Sequence, residues 1–353
     1  MESNYYAVIM AGGIGSRFWP VSTQKYPKQF HDMLGTGNSL IQKTFSRVNK
    51  LIPSTNILIA TNKSYEKLVL NQLSNINKNQ ILLEPSMRNT APCILYAALK
   101  IYSENPEAVI LIAPSDHWIE DEAEFLSNIK TSFDACEKED ILMTLGIQPD
   151  TPNTGYGYIQ FDNDESKIKA VKNFTEKPNL KKAQQFLENG NFLWNAGIFI
   201  WSAKSILEAF RQFLPEMIKN LDVNGVYNTE SERLFIEKNY AKCENISIDF
   251  GIMEHAKNVF VLPVNFGWND LGTWGSLYEK LSKDKDKNAT IGAKTIFENS
   301  KGNMVRTNLN KKVIIKGLDN FIVVEKDDLL LICPKKNEQE IKQIAAKAKN
   351  EFG

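Results

Sequence analysis

The sequence predicts an α/β protein, a doubly wound sheet of mixed but mostly parallel strands followed by a small β domain. Three observations predict it. Short β-branched runs alternate with helical patterns from the first residues to Ala113, those runs are apolar almost without interruption, and beyond about Ala289 the pattern turns to closely spaced short strands. Alternation of this kind builds parallel strands through helical crossovers. Strands with no polar side belong to a sheet covered on both faces.

The elements follow in order. Tyr6 to Met10 reads as the first strand and Leu40 to Leu51 as the first helix, where Ile41, Phe45, Val48 and Ile52 recur at helical spacing behind Ser39, placed as an N-cap. Ile57 to Ala60 and Ile81 to Leu83 are strands, each followed by a helix, Tyr65 to Leu73 and Ala91 to Tyr102, and Val109 to Ala113 is the next strand. After Ala289 come the strands Met304 to Thr307, Val313 to Ile315, Phe321 to Val324 and Leu329 to Ile332, separated by Asn, Gly and Asp turns. A last amphipathic stretch, Glu338 to Lys349, sets Ile341, Ile344, Ala345 and Ala348 on one side of a helix. The expected domains are therefore 1–288 and 289–353.

Composition narrows the function. The 353 residues are 42% hydrophobic and 24% charged, an ordinary soluble balance. Lys plus Arg and Asp plus Glu number 42 each, so no global field draws the protein to nucleic acid or an acidic membrane. Any phosphate binding has to be local. The start, MESNYYAVIMAGG, has neither the basic leader nor the long apolar run of a signal peptide, and apolar stretches such as Val109 to Ala113 are too short to span a bilayer. A cytoplasmic protein is expected. Cys93, Cys136, Cys243 and Cys333 are scattered without metal, haem or disulfide spacing, and read as reduced core residues.

In α/β sheets ligands bind beyond the carboxyl ends of the strands, which here run into AGGIGSRFWP after Met10 and PSDHW after Ala113. Ala11, Gly12, Gly13, Ile14, Gly15, Ser16 and Arg17 form a candidate phosphate cradle, since glycines let backbone N–H groups approach anionic oxygens. The run lacks the last glycine of the dinucleotide fingerprint and the Gly-Lys-Ser/Thr ending of a P-loop. A plain glycine turn explains it as well. Lys28 follows in YPKQF, with Pro20 and Pro27 stiffening the loop, so Arg17 and Lys28 are two cations suited to a polyphosphate, the Arg fork gripping two oxygens and the Lys following charge as it builds. Solvated surface charge is the other explanation.

GGIGSRFWPVSTQKYPKQF closely resembles the signature of the sugar nucleotidyltransferases, and within them of the mannose-1-phosphate guanylyltransferases. Six further blocks extend the resemblance over nearly the whole chain: EPSMRNTAP from Glu84, APSDH from Ala113, NTGYGYI from Asn153, FTEKP from Phe174, FLWNAGIF from Phe192 and GWNDLGTW from Gly267. The resemblance implies a nucleotide-diphospho-sugar transferase fold, Rossmann-like, with a left-handed β-helix-like cap that often supports a homodimer. It also implies in-line attack by a sugar phosphate on the α-phosphorus of a nucleoside triphosphate, here GTP with mannose 1-phosphate, releasing pyrophosphate. Such chemistry calls for a metal, fixed cations and backbone donors rather than a strong base.

By the same resemblance Asp116 and Asp270 hold Mg²⁺, whose hard character suits one or two carboxylates. From spacing alone each is equally a cap or turn aspartate. Glu176 matches the position that holds sugar hydroxyls and Lys177 the one that holds the sugar-bound phosphate, with Gly155 and Asn195 at further sugar positions; an exposed Glu-Lys pair is otherwise an ordinary surface feature. Glu84, Arg88 and Asn89 are the segment associated with guanine, whose N1–H and exocyclic amine one carboxylate can accept together. Arg88 instead orients Glu84 or touches phosphate in a second version of this reading. His117 beside Asp116 lacks a second histidine at ligand spacing and reads as structural.

Three positions depart from the family pattern, Thr23 where Arg is expected, Ala196 where Ser is common and Asn269 where Ser is frequent. None removes a metal or phosphate group. The chain ends soon after the β unit, and no isomerase domain is expected. The competing functions are a relative using another sugar 1-phosphate or nucleotide, and a catalytically silent nucleotide-sugar-binding subunit, which loss of Arg17, Lys28, Asp116 or Asp270 would have favoured. A dinucleotide-binding oxidoreductase fits the glycines less well.

Overall fold

A computed structural model describes residues 4–352. They form two compact units, one holding the chain through Gly12, Thr44–Ser115 and Ile119–Trp268, the other holding Gly13–Lys43, Asp116–Trp118 and the chain from Asn269 onward. The strands expected beyond Ala289 all lie in the second unit. That unit also takes in the loop after Gly12, because Phe18, Val21, Met33 and Leu40 share one apolar core with Leu271, Trp274, Met304, Ile322 and Leu331.

The first unit is built on nine strands: β1 (Tyr5–Met10), β2 (Ile57–Asn62), β3 (Ile81–Glu84), β4 (Val109–Pro114), β5 (Leu142–Ile147), β6 (Tyr158–Phe161), β7 (Lys169–Thr175), β8 (Phe192–Ser202) and β9 (Val259–Val264). Their order is β3-β2-β1-β4-β8-β5-β9-β7-β6. β1 pairs in parallel with β2 and β4, and β5 with β9, whereas β8 is antiparallel to β4, β5 and β6, and β7 to β6 and β9. β7 and β8 thus run against the other strands. The α/β class and mixed sheet are as expected.

The helices between the strands are α1 (Leu40–Val48), α2 (Glu66–Gln72), α3 (Thr90–Glu104), α4 (Glu122–Lys138), α5 (Leu180–Asn189), α6 (Ala203–Phe213), α7 (Pro215–Leu221) and α8 (Glu232–Asn239). Ser39 caps α1 as expected: its backbone N–H donates to Gln42 Oε1 at 2.9 Å, and Gln42 N–H donates back to Ser39 Oγ at 3.4 Å. α3 buries every residue from Ala91 to Ile101, the mark of a helix in the centre of a core, and packs on α6.

Two registers position the site. Met10 aligns with Pro114, so β1 and β4 end side by side, and Asn62 aligns with Glu84 at the end of β3. Strand order reverses between β1 and β4, which opens a crevice beyond their carboxyl ends.

In the second unit β10 (Ala289–Ile291), β12 (Met304–Arg306) and β14 (Phe321–Lys326) pair in parallel, β15 (Leu329–Pro334) closes that sheet antiparallel to β14, and β11 (Lys294–Glu298) pairs in parallel with β13 (Lys312–Lys316). β10 and β11 escape the sequence pattern because they are short and β11 is half polar. α9 (Trp274–Lys280) follows the loop from Asn269, and Trp274 meets Phe18 edge to face at 4.9 Å, a contact worth about 1 kcal/mol beyond its buried area. α10 (Ile341–Phe352) buries Ile341 and half-buries Ile344, Ala345 and Ala348, the side its sequence marks as apolar. Among the described residues no helix is long and apolar enough to cross a membrane, and the four cysteines are buried and free.

Candidate functional site

Three groups of candidate residues emerge, one in the second unit and two in the first. In the second unit the chain leaves Gly13, which is exposed, and enters a short 3₁₀ turn, Ser16–Phe18, through Gly15 at φ 69°. That left-handed conformation favours glycine, and a Cβ on Gly15 would lie 2.5 Å from Lys28 Cβ. The loop therefore closes onto Lys28, whose backbone N–H donates to Ile14 O at 3.3 Å. Ser16 is half-buried, and Arg17 stands exposed with no ion pair among the described residues.

Lys28 is only 3% exposed. Its Nζ donates to Asp116 Oδ2 at 2.8 Å and to the Asp270 backbone O at 3.0 Å, and lies over the Phe18 ring at 5.4 Å. Spacing could not show that Asp116 and Asp270 converge. They do so because Trp118 and Asn269 form an antiparallel bridge, Trp118 N–H to Asn269 O at 2.8 Å and the reverse at 3.1 Å. Asn269 adds its side chain: Oδ1 accepts from Leu271 N–H at 2.7 Å and fixes the turn that carries Asp270. Asp270 Oδ1 accepts from Gly272 N–H at 3.0 Å.

The Asp116 carboxyl is held below its ordinary range. Burial works against its ionisation, but the Lys28 ammonium, with help from His117, outweighs it. Asp116 and Asp270 carry the hard carboxylate oxygens that a divalent ion takes, but Lys28 Nζ lies against the Asp116 carboxylate and the Asp270 backbone O, and no cluster of three or more His, Cys, Asp or Glu ligands exists among the described residues.

In the first unit Ala11 is buried, its N–H donating to Ala60 O at 2.7 Å and its O accepting from Thr61 Oγ1 at 2.8 Å. Gly12 follows, against Glu84 at the end of β3. Glu84 is buried, and Tyr240 O–H donates to its Oε1 at 2.5 Å. Burial pushes the Glu84 carboxyl up, partly countered by hydrogen bonds from Tyr240 and Cys93. Arg88 is half-buried near Cys243, and among the described residues no hydrogen bond or ion pair joins it to Glu84. Asn89 is exposed at φ 59° ahead of α3, and its Nδ2 donates to Asn245 Oδ1 at 2.9 Å.

A second cluster gathers in the same unit. Gly157 approaches Glu176 so closely that a Cβ would lie 2.5 Å from Oε2. Glu176 pairs with Lys177, which is largely exposed and held at φ 42°, a strained value for lysine. Asn195 is fixed on every side: N–H to Gly157 O at 2.8 Å, Oδ1 accepting from Gly197 N–H at 3.0 Å and Thr144 Oγ1 at 3.2 Å, and Nδ2 donating to Asp249 Oδ1 at 2.8 Å. Gly155 is exposed, its N–H on Asn153 Oδ1 at 2.7 Å.

Sequence reasoning missed Tyr240 and Asp249. Asp249 opens a π-helical turn, Asp249–Met253, and its carboxyl is pushed up to about 6, first by burial and then by the Glu176 charge. Its one local signal was an acid set between Ile248 and Phe250. Tyr240 gave none.

The sequence pattern of the nucleotidyl transferase family matches residues 6–287. The chain belongs to the nucleotidyl transferase family. Among similar proteins, the mannose-1-phosphate guanylyltransferase of Escherichia coli is 35% identical over 98% of this chain and 75% of its own length. The xanthan biosynthesis protein XanB of Xanthomonas campestris is 34% identical over 99% of this chain and 74% of its own. A crystal structure described as mannose-1-phosphate geranyltransferase from Thermus thermophilus superposes with a TM-score of 0.87 at 29% identity, covering 98% of this chain and 100% of that one. This nucleotidyl transferase thus bears out the resemblance carried by the seven sequence blocks.

Proposed function

We propose that the chain transfers GMP from GTP to mannose 1-phosphate, giving GDP-mannose and pyrophosphate. The observation that carries this reading is the meeting of Lys28 with both Asp116 and Asp270. It is supported by the similarity to mannose-1-phosphate guanylyltransferases over nearly the full chain.

The reaction brings anion to anion, so its barrier falls as positive charge and N–H donors surround the phosphates. Gly12, Gly13, Gly15 and Ser16 offer backbone and hydroxyl donors, Ala11, whose own N–H is held by Ala60 O, anchors the start of the loop, and the exposed Arg17 presents its guanidinium to the phosphate chain. Lys28 places a second charge, held rigid by Phe18 and the closed Gly15 turn. Glu84, with Arg88 and Asn89, takes the guanine. Glu176 accepts from sugar hydroxyls beside Gly155, Asn195 donates to them through its second Nδ2 hydrogen, and Lys177 meets the sugar-bound phosphate. Asp116 and Asp270 would hold Mg²⁺, which when bound neutralises charge on the transferring phosphate.

The remaining expectations belong to the same proposal. A functional division at 288/289 is supported by a family match that ends at 287. The parallel steps Ala289 to Met304 and Met304 to Ile322 support a left-handed β-helix-like cap. The outward pair Ile296 and Ile314, 58% and 70% exposed, supports a homodimer. We assign the protein to the cytoplasm, with no nucleic-acid or membrane partner.

Pyrophosphate release, measured with Mg²⁺ for GTP, ATP, UTP and dTTP against mannose 1-phosphate and glucose 1-phosphate, tests the proposal. Release with GTP and mannose 1-phosphate is expected. Preference for another pair would overturn the substrate assignment, and silence with all pairs would leave a nucleotide-sugar-binding subunit.

A further inference from the structure

Glu84 is an unusual carboxylate. It is buried, yet no cation pairs with it among the described residues, and its neighbours are two neutral donors, the Tyr240 hydroxyl at 2.5 Å from Oε1 and the Cys93 thiol. Burial pushes both the tyrosine and the cysteine well above their ordinary ranges, so each keeps its proton and can act only as a donor toward the acid. With Oε1 occupied by Tyr240, Oε2 is turned toward Gly12, where a Cβ would stand 3.3 Å away. Glycine keeps that face open.

The two donors are held on a stiff frame. Cys93 lies on α3 and Tyr240 directly follows α8, and those helices are joined by a buried network in which Glu232 accepts from Lys100 Nζ at 2.7 Å and from Tyr96 O–H at 2.7 Å. Buried hydrogen-bond networks of this kind rigidify what they join. A cation behind Glu84 would cancel its charge. Neutral donors fix its direction and leave the charge for whatever approaches Oε2, which favours a base edge made of N–H donors and disfavours one carrying an acceptor.

We propose that Tyr240, assisted by Cys93, is a positioning residue for base choice, aiming Glu84 Oε2 at the donor edge of the purine. The proposal rests on the assignment of guanine to Glu84. Tyr240→Phe keeps the ring and its packing while removing the donor, which frees the carboxylate to turn. The readout is the ratio of kcat/KM for GTP to that for ITP and for ATP, with mannose 1-phosphate as acceptor. Because it is a ratio, loss of folded protein cancels.

Losing one hydrogen bond to a charged group is expected to lower the ratio about tenfold. Cys93→Val is expected to lower it by less, and adding Tyr240→Phe to Glu84→Gln is expected to change nothing further. If Tyr240→Phe slows GTP and ITP in parallel while Glu84→Gln alone alters the ratio, Tyr240 is only structural and the proposal falls, with the Glu84 assignment intact. An unchanged ratio in Glu84→Gln removes both. Should Tyr240→Phe not accumulate as folded protein, an unchanged ratio in Cys93→Val decides against the proposal.

Discussion

Lys28 Nζ lies 2.8 Å from Asp116 Oδ2, with the lysine 3% and the aspartate 32% exposed. Each charge is half of the other's environment, so removing either leaves a largely buried ion without its partner. Asp116→Asn is expected to destabilise the protein by about 2 kcal/mol, less than a fully buried pair because water still reaches Asp116. The pH dependence follows from the depressed Asp116 carboxyl. Its contribution is present above the unfolded value of about 3.9 and disappears as pH falls through the lower folded value. Thermal melts of both proteins between pH 7 and 3 check this; a difference that does not shrink on acidification counts against the pair.

Gly15 carries a second prediction. At φ 69° an alanine is strained, and its Cβ would sit 2.5 Å from Lys28 Cβ, where backbone or side chain has to move. Gly15→Ala is expected to cost about 1–2 kcal/mol from the left-handed conformation alone. Displacement of Lys28 should add a drop of about a hundredfold in kcat, the scale of losing one preorganised charge-stabilising donor. Denaturant unfolding and steady-state kinetics on the same preparation separate the two effects. Gly13→Ala, at an exposed glycine with nothing of the protein within 4 Å of its Cβ, is the companion variant and should leave stability unchanged.

Asp270 allows the metal to be tested apart from the fold. Its Oδ1 accepts from Gly272 N–H at 3.0 Å, a bond that Asp270→Asn retains. The variant is expected to melt within about 0.5 kcal/mol of the parent. Turnover should fall at least tenfold and recover in part at high Mg²⁺, because only one of the two hard anionic donors has been lost. Full activity at low Mg²⁺ would move the metal elsewhere.

The sequence made the regular elements legible because they are built by local rules. The apolar run Val109 to Ala113 is β4, and the stripe Ile341, Ile344, Ala345, Ala348 is the buried side of α10. The glycine loop was legible for the same reason, since Gly15 needs its backbone conformation whatever surrounds it. Contacts between distant segments were not. Nothing near Asp116 announces the Trp118–Asn269 bridge that brings Asp270 to Lys28, and nothing near Glu84 announces Tyr240. β10 and β11 were missed because three to five residues with mixed polarity carry too little period to stand out.

Asp249 shows the opposite electrostatic sign from Asp116. Burial, followed by the Glu176 charge, raises its carboxyl to about 6, against about 3.9 in the unfolded chain. The folded protein therefore binds this proton more tightly than the unfolded one, so stability is greatest below about pH 4 and is lost as pH rises through 6. Above pH 7 the ionised carboxylate costs roughly 2 kcal/mol, discounted for its partial exposure. Asp249→Asn keeps an oxygen for Asn195 Nδ2 and removes the charge. It is expected to be more stable than the parent at pH 8 and to lose that advantage only as pH falls to about 4. The same variant removes one of the two acids that face Glu176, with Glu254 remaining, so its kcat/KM for sugar phosphate should depend less on pH between 5 and 7. Equal melting curves for the two proteins across that range would show that Asp249 ionises as it does in water.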